Sequence, residues 1–169
     1  MRKSVITVIL LVIAAVALTS VLMKQFRGSE EETTEVIQLK QLGTNETVTV
    51  DFSDKPSVMV LFTSWCTYCN ADAPKIVQLQ DKYKDQLNVY GINLLYRDEE
   101  SEVRRYADTH GIDYPILLDE SGDIHRKYGQ TPFPALFFVD KEGNVVDRLI
   151  GSTDIETIDN SFQNLTQSP

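Results

Sequence analysis

The chain has 169 residues, 42% of them hydrophobic and 24% charged, a balance that excludes both a disordered polymer and a multi-span membrane protein. All 25 acidic residues follow Gly28, whereas four of the 16 basic ones (Arg2, Lys3, Lys24, Arg27) precede it, so the C-terminal part is strongly acidic and repels nucleic acid phosphates. The two cysteines, Cys66 and Cys69, stand two residues apart; this is no disulfide-stapled scaffold, and the fold must rest on its core.

Val5 to Met23 is apolar apart from Thr7, Thr19 and Ser20. At about 1.5 Å per residue, such a helix just crosses a hydrocarbon layer of roughly 30 Å. The pattern predicts an N-terminal transmembrane helix within an anchor of residues 1–27. Ala15-Val16-Ala17 fits the cleavage pattern of a signal peptide, but apolar Leu18, Val21, Leu22 and Met23 continue past it. No cysteine follows the run to carry a lipoprotein anchor. Arg2 and Lys3 on the short leading end favour its staying inside. The expected location is therefore the cell membrane, single-pass, with the C-terminal domain on the extracytoplasmic side. Residues 28–35 are polar and acidic, an expected tether, and residues 36–169 are the right length for one domain.

Within that domain, Val36 to Val50 alternates imperfectly around Gly43-Thr44-Asn45 and predicts a hairpin. Ser57 to Phe62 (SVMVLF) is a continuous β-rich apolar run, expected of a central strand covered on both faces. Ala71 to Lys84 carries Ile76, Val77, Leu79 and Tyr83 at helical spacing, and Leu87 to Leu95 returns to strand character, completing a β-α-β unit. A second helix is expected over Glu99 to His110, ended by Gly111, then a short strand at Ile116 to Leu118 and a helical turn at Asp123 to Tyr128. Ala135 to Val139 and Val145 to Ile150 flank the hairpin turn Lys141-Glu142-Gly143-Asn144. Thr153-Asp154-Ile155-Glu156 fits a capping box opening a last helix, with Ile155, Ile158, Phe162 and Leu165 inward.

The stretch Phe62-Thr-Ser-Trp-Cys-Thr-Tyr-Cys69, between a buried strand and a helix with Pro74, resembles the active site of the thioredoxin superfamily. Tyr128-Gly-Gln-Thr-Pro-Phe-Pro134-Ala-Leu-Phe-Phe-Val-Asp140 looks like the segment that holds the family's cis-proline, at Pro134. The resemblance covers about residues 36 to 166, and the extra helix and strand between the motifs are similar to the membrane-anchored TlpA/ResA subgroup of extracytoplasmic reductases. It implies an α/β fold: a thioredoxin-like three-layer sandwich with a central mixed sheet flanked by helices, an N-terminal hairpin and a central helix-strand insert. Asp72, three residues after Cys69, matches a position where ResA-like proteins place an active-site glutamate. Two departures stand out. Val60 occupies the place of plain thioredoxin's buried aspartate, and Thr67-Tyr68 separates the cysteines in place of the family's usual dipeptides.

A CxxC at a helix N-terminus sets its first sulfur beside unpaired N–H groups and the positive end of the helix dipole, which favours the thiolate and makes Cys66 the nucleophile. Cys69, one turn on, is placed to resolve the mixed disulfide. Asp72 lies at i+3 from Cys69, on the same helix face, as a candidate proton acceptor. By resemblance, the backbone of Phe133 before cis-Pro134 docks an extended substrate, and Trp65 either lines that groove or packs. The alternatives for the cysteines are a static disulfide or half a zinc site; zinc wants about four ligands, and His110 and His125, expected at the surface or at helix ends, are not closely paired with others. No metal and no cofactor is expected.

The implied activity is a thiol-disulfide oxidoreductase that reduces disulfides in exported proteins, by analogy apocytochrome c or spore-envelope proteins. It would act as a monomer, fed by an integral-membrane thiol electron donor of the CcdA or DsbD type. Two alternatives stay open. One is a peroxidase, since Thr63-Ser-Trp-Cys66 matches the TxxC of peroxiredoxins, although Met59 replaces the proline that precedes that motif; the other is a chaperone-like docking module with an incidental disulfide.

Overall fold

The computed structural model describes residues 36–44 and 46–167, and Val36–Pro169 forms one compact unit. The expected Val5–Met23 helix, the 28–35 tether and Asn45 of the hairpin turn lie outside the described residues. Among those described, no helix is long and apolar enough to cross a membrane.

In chain order the elements are strands β1 (Ile37–Gln41), β2 (Thr47–Val50) and β3 (Ser57–Phe62), helix α1 (Thr67–Tyr83), strand β4 (Asn88–Asn93), a 3-10 turn (Leu95–Arg97), helix α2 (Glu100–His110), strand β5 (Ile116–Leu118), helix α3 (Asp123–Lys127), strands β6 (Ala135–Val139) and β7 (Val145–Ile150), and helix α4 (Ile155–Thr166). They build an α/β fold on one mixed sheet, ordered β2-β1-β5-β4-β3-β6-β7. β3, β4 and β5 run parallel, while the β1–β2 hairpin joins β5, and the β6–β7 hairpin joins β3, antiparallel.

β3 reads as a continuous apolar run because all six of its residues are buried, as a strand with neighbours on both edges and cover on both faces requires. Its side chains alternate between faces. Val58 and Val60, with Leu136 and Phe138 of β6, pack under Ile76 and Leu79 of α1 and Ile158, Phe162 and Leu165 of α4. Phe62 extends this layer to Val103 and Tyr106 of α2. Met59 and Leu61 meet Phe137 and Val139 in the opposite layer, covered by Ile124 of α3 together with Ile37, Val50 and Phe52. The flanking layers are thus unequal: three helices on one face, and one five-residue helix with the loop that carries Phe52 on the other.

Local signals set most ends, and two starts are shifted. α1 begins at Thr67, directly after Cys66 and four residues before the apolar periodicity starts, because the Cys66 sulfur and not an apolar residue caps it. α2 ends where Gly111 adopts φ +63°, a left-handed conformation that costs glycine nothing. α4 is capped by Asp154, whose carboxylate accepts the Thr157 N–H at 2.8 Å; the cap is one residue later than a box opened by Thr153 would have it. A carboxylate in the first turn also meets the positive end of the helix dipole.

Candidate active site

Cys66 sits where β3 hands the chain to α1. Its backbone is extended, as an N-cap requires, and its Sγ accepts the Cys69 N–H at 3.2 Å. That bond strengthens as the sulfur gains negative charge. On its other side the Cys66 thiol meets the carbonyl of Phe133 at 3.6 Å, across the cis Phe133–Pro134 bond. Both cysteines are free thiols. Cys69 is 2% exposed, and burial, followed by its hydrogen bond with Cys66, pushes its thiol far above the usual cysteine range.

One turn further along α1, Asp72 is 1% exposed. Its Oδ1 accepts from Lys75 Nζ at 2.7 Å and from Ser152 Oγ at 2.6 Å, while Lys75 also donates to the Thr153 carbonyl at 2.5 Å. The buried carboxylate is thus tied to the loop between β7 and α4. Its Oδ2 has no hydrogen-bond partner in the protein, an open acceptor in the layer that holds Cys69. Tyr106 of α2 closes that layer by donating to the Cys69 carbonyl at 3.0 Å, and burial raises its phenol.

The segment before the cysteines is lashed down from two directions. Asp98 accepts from Ser64 N at 2.5 Å, Ser64 Oγ at 2.6 Å and Asn93 Nδ2 at 2.9 Å. Asn70 donates to the carbonyls of Ser64 and Cys66 and is held in turn by His110 at 2.9 Å. Trp65, half exposed, donates its Nε1–H to the Arg97 carbonyl at 2.9 Å and lies edge-on to Phe133, ring centres 5.9 Å apart. The Arg97 guanidinium lies over both rings, 5.9 Å from Trp65 and 5.4 Å from Phe133. A cavity of about 450 Å³ opens beside this rim, bordered by Trp65, Asn70, Arg97 and Tyr106.

A profile of the AhpC/TSA family matches residues 32–148. The chain belongs to the AhpC/TSA family. Among curated relatives, this AhpC/TSA member is 30% identical over 115 residues to the thioredoxin-like protein YneN of Bacillus subtilis, a stretch covering 68% of this chain and 67% of YneN. It is 23% identical over 166 residues to the thiol-disulfide oxidoreductase ResA of Geobacillus kaustophilus, covering 98% of this chain and 94% of ResA. Among solved structures, StoA of Bacillus subtilis superposes with a TM-score of 0.67 at 20% identity, covering 77% of this chain and 98% of StoA. A secreted Mycobacterium tuberculosis disulfide oxidoreductase homologous to DsbE gives 0.70 at 18%, covering 79% and 98%. The fold is that of the thioredoxin superfamily, and this AhpC/TSA protein is an enzyme of the thiol-disulfide oxidoreductase class.

Of the residues singled out in the AhpC/TSA sequence, the fold brings Trp65, Cys66, Phe133 and Pro134 to one rim and sets Cys69 and Asp72 on the buried side of the same helix. Val60 is buried in the apolar layer under α1 and α4. His110, the last residue of α2, is half-buried and bonded to Asn70. His125 lies in the last turn of α3 but is not at the surface: it is 4% exposed, its ring bonded on both nitrogens. Among the described residues, no group of three His, Cys, Asp or Glu gathers as a metal ion would need. Lys75, Asn70, Asp98, Tyr96 and Ser152 went unnoticed. Lys75 had a signal, since it lies at i+3 from Asp72; the others reach the site through contacts that sequence spacing does not encode.

Proposed function

We propose that this oxidoreductase reduces disulfides in polypeptides docked against Phe133, with Cys66 as nucleophile, Cys69 as resolving thiol and Asp72 as proton acceptor. The observation that carries the reading is the Cys66 sulfur held between a donor N–H of its own helix and the Phe133 carbonyl. The Cys66 thiolate attacks one sulfur of a substrate disulfide, releasing the other as a thiolate and leaving a Cys66–substrate disulfide. Cys69 gives its proton to the open Asp72 oxygen and attacks Cys66 Sγ, closing the Cys66–Cys69 disulfide and freeing the second substrate thiolate. Two electrons pass to the substrate, and two external electrons must reopen the pair. The family analogy and the Val5–Met23 run support an exported domain on a single membrane anchor, an integral-membrane thiol carrier of the CcdA or DsbD type as the donor, and exported proteins, apocytochrome c among them, as substrates.

The test is a single turnover. Protein reduced and freed of reductant should open one disulfide per dithiol in a synthetic disulfide peptide and leave hydrogen peroxide unconsumed. Peroxide turnover with the peptide untouched would replace the reductase reading with a peroxidase one. For the topology, an alkaline phosphatase fused after Pro169 should be active, and an inactive fusion would sink both the localisation and the membrane donor.

A further inference from the structure

His125 lies outside the dithiol chemistry, yet it joins the two segments that flank Cys66. A carbonyl only accepts, so the 2.9 Å contact between its Nε2 and the Thr131 carbonyl requires a proton on Nε2. In the neutral ring Nδ1 is then the acceptor, and the Tyr96 hydroxyl, 2.7 Å away, donates to it. The backbone of His125 is fixed as well: its N–H donates to Asp119 Oδ2 at 3.1 Å, and its carbonyl accepts from Gln130 N at 2.8 Å. The ring centre lies 5.8 Å from that of Phe133.

Each contact leads to the rim. Thr131 is two residues before Phe133, and the intervening Pro132 has its φ locked near −65°, so few torsions separate the two carbonyls and a shift of one carries to the other. Tyr96 is in the 3-10 turn whose next residue, Arg97, accepts the Trp65 indole N–H and covers the Trp65 and Phe133 rings. A buried imidazole thus closes a ring of contacts around Cys66 that runs from Trp65 through Arg97, Tyr96, His125 and Thr131 to Phe133.

We infer that His125 is a positioning residue for substrate docking: through Thr131 and Tyr96 it fixes the Phe133 carbonyl against Cys66, and thereby sets affinity for polypeptide disulfides without taking part in sulfur exchange. The inference rests on the docking reading of Phe133. Steady-state reduction of a disulfide peptide is compared for His125→Leu, His125→Gln and Tyr96→Phe, beside the alkylation rate of Cys66 by iodoacetamide, which needs no docking. A second peptide is N-methylated at the backbone nitrogen beside its cysteine.

His125→Leu should raise KM about tenfold, one to two lost hydrogen bonds' worth, with kcat and the alkylation rate within twofold of wild type. His125→Gln, which keeps an N–H for Thr131, should recover most of the loss. An unchanged KM in His125→Leu overturns the inference and leaves the docking reading standing. If wild type treats the two peptides alike, the docking reading fails and the inference falls with it. Should His125→Leu not fold, Tyr96→Phe decides: a KM raised about threefold supports the inference, and an unchanged one overturns it.

Discussion

Cys66, 7% exposed, lies under a rim of aromatic side chains open to solvent, with Trp65 56% and Tyr68 65% exposed, whereas Cys69, one turn along the same helix, is 2% exposed in the apolar cluster of Ala73, Val103 and Tyr106 that both cysteines join. Around the Cys66 sulfur the polar groups are backbone, the Cys69 N–H and the Phe133 carbonyl. On the Cys69 side, the polar groups are side chains, the buried Asp72 held by partly exposed Lys75 and exposed Ser152. The difference separates two properties that a dithiol enzyme must hold apart. A nucleophile must be reachable and stabilised as an anion, while its partner must hold its proton until a mixed disulfide stands in front of it.

The largest effect should come from erasing the thiol under the rim. Cys66→Ser should lower turnover of a disulfide peptide by about a thousandfold or more, since no other sulfur is placed to attack. Cys69→Ala should instead let the attack proceed and hold the substrate as a mixed disulfide, visible by mass spectrometry under non-reducing conditions. Accumulation of adducts on Cys69 in a Cys66→Ser protein would invert the assignment.

Removing Lys75 addresses the buried half. Lys75→Met leaves the Asp72 carboxylate enclosed with Ser152 as its one donor, and should cost about 3 kcal/mol in a urea unfolding curve. Asp72→Leu combined with Lys75→Met should cost less than Lys75→Met alone, because the enclosed charge is then gone. Equal losses in the single and double variants would mean that Lys75 acts through packing and not through charge.

The two thiols should also part in their response to pH. At neutral pH iodoacetamide should label Cys66 at least about tenfold faster than Cys69, because burial holds Cys69 protonated. Below about pH 8.5 the folded and unfolded chains both keep that proton; above it the unfolded chain releases it while the folded one does not. Cys69 therefore subtracts stability as pH rises past about 8.5, and Cys69→Ala should flatten the alkaline limb of stability measured from pH 8 to 10. The smallest effect is expected of Trp65→Phe, which loses the bond to the Arg97 carbonyl on a half-exposed ring and should raise KM about two- to threefold.

The parts of the molecule legible in the sequence are those encoded by neighbours in the chain. SVMVLF announces a doubly covered strand, the spacing of Ile76, Leu79 and Tyr83 a helix, and Trp65-Cys66 with Thr131-Pro-Phe-Pro134 the two edges of a dithiol site. What stayed hidden depends on pairing at a distance. The β1–β2 hairpin is readable by itself, but its docking on β5 through Lys40–Leu118 and Gln41–Leu117 is a register between segments some eighty residues apart. Asp72 was a candidate by spacing from Cys69, yet its bond to Ser152 spans 80 positions. His125, in a short helix rich in charge, reads as solvated until Tyr96 and Thr131 close on it from either side.

Cys66 and the carbonyl that faces it are 67 positions apart in the chain, which puts the site on a biosynthetic clock. At about 5–20 residues per second, Phe133 leaves the ribosome roughly three to thirteen seconds after Cys66. Through that interval the nascent polypeptide carries its complete CxxC with neither β6 nor the Thr131–Pro134 loop yet made. During those seconds the two thiols stand without the Phe133 carbonyl, open to any oxidant or neighbouring disulfide. The Cys66 side of the site is complete only once β6 has been made, and the Asp72 side later still, with Ser152 and Thr153.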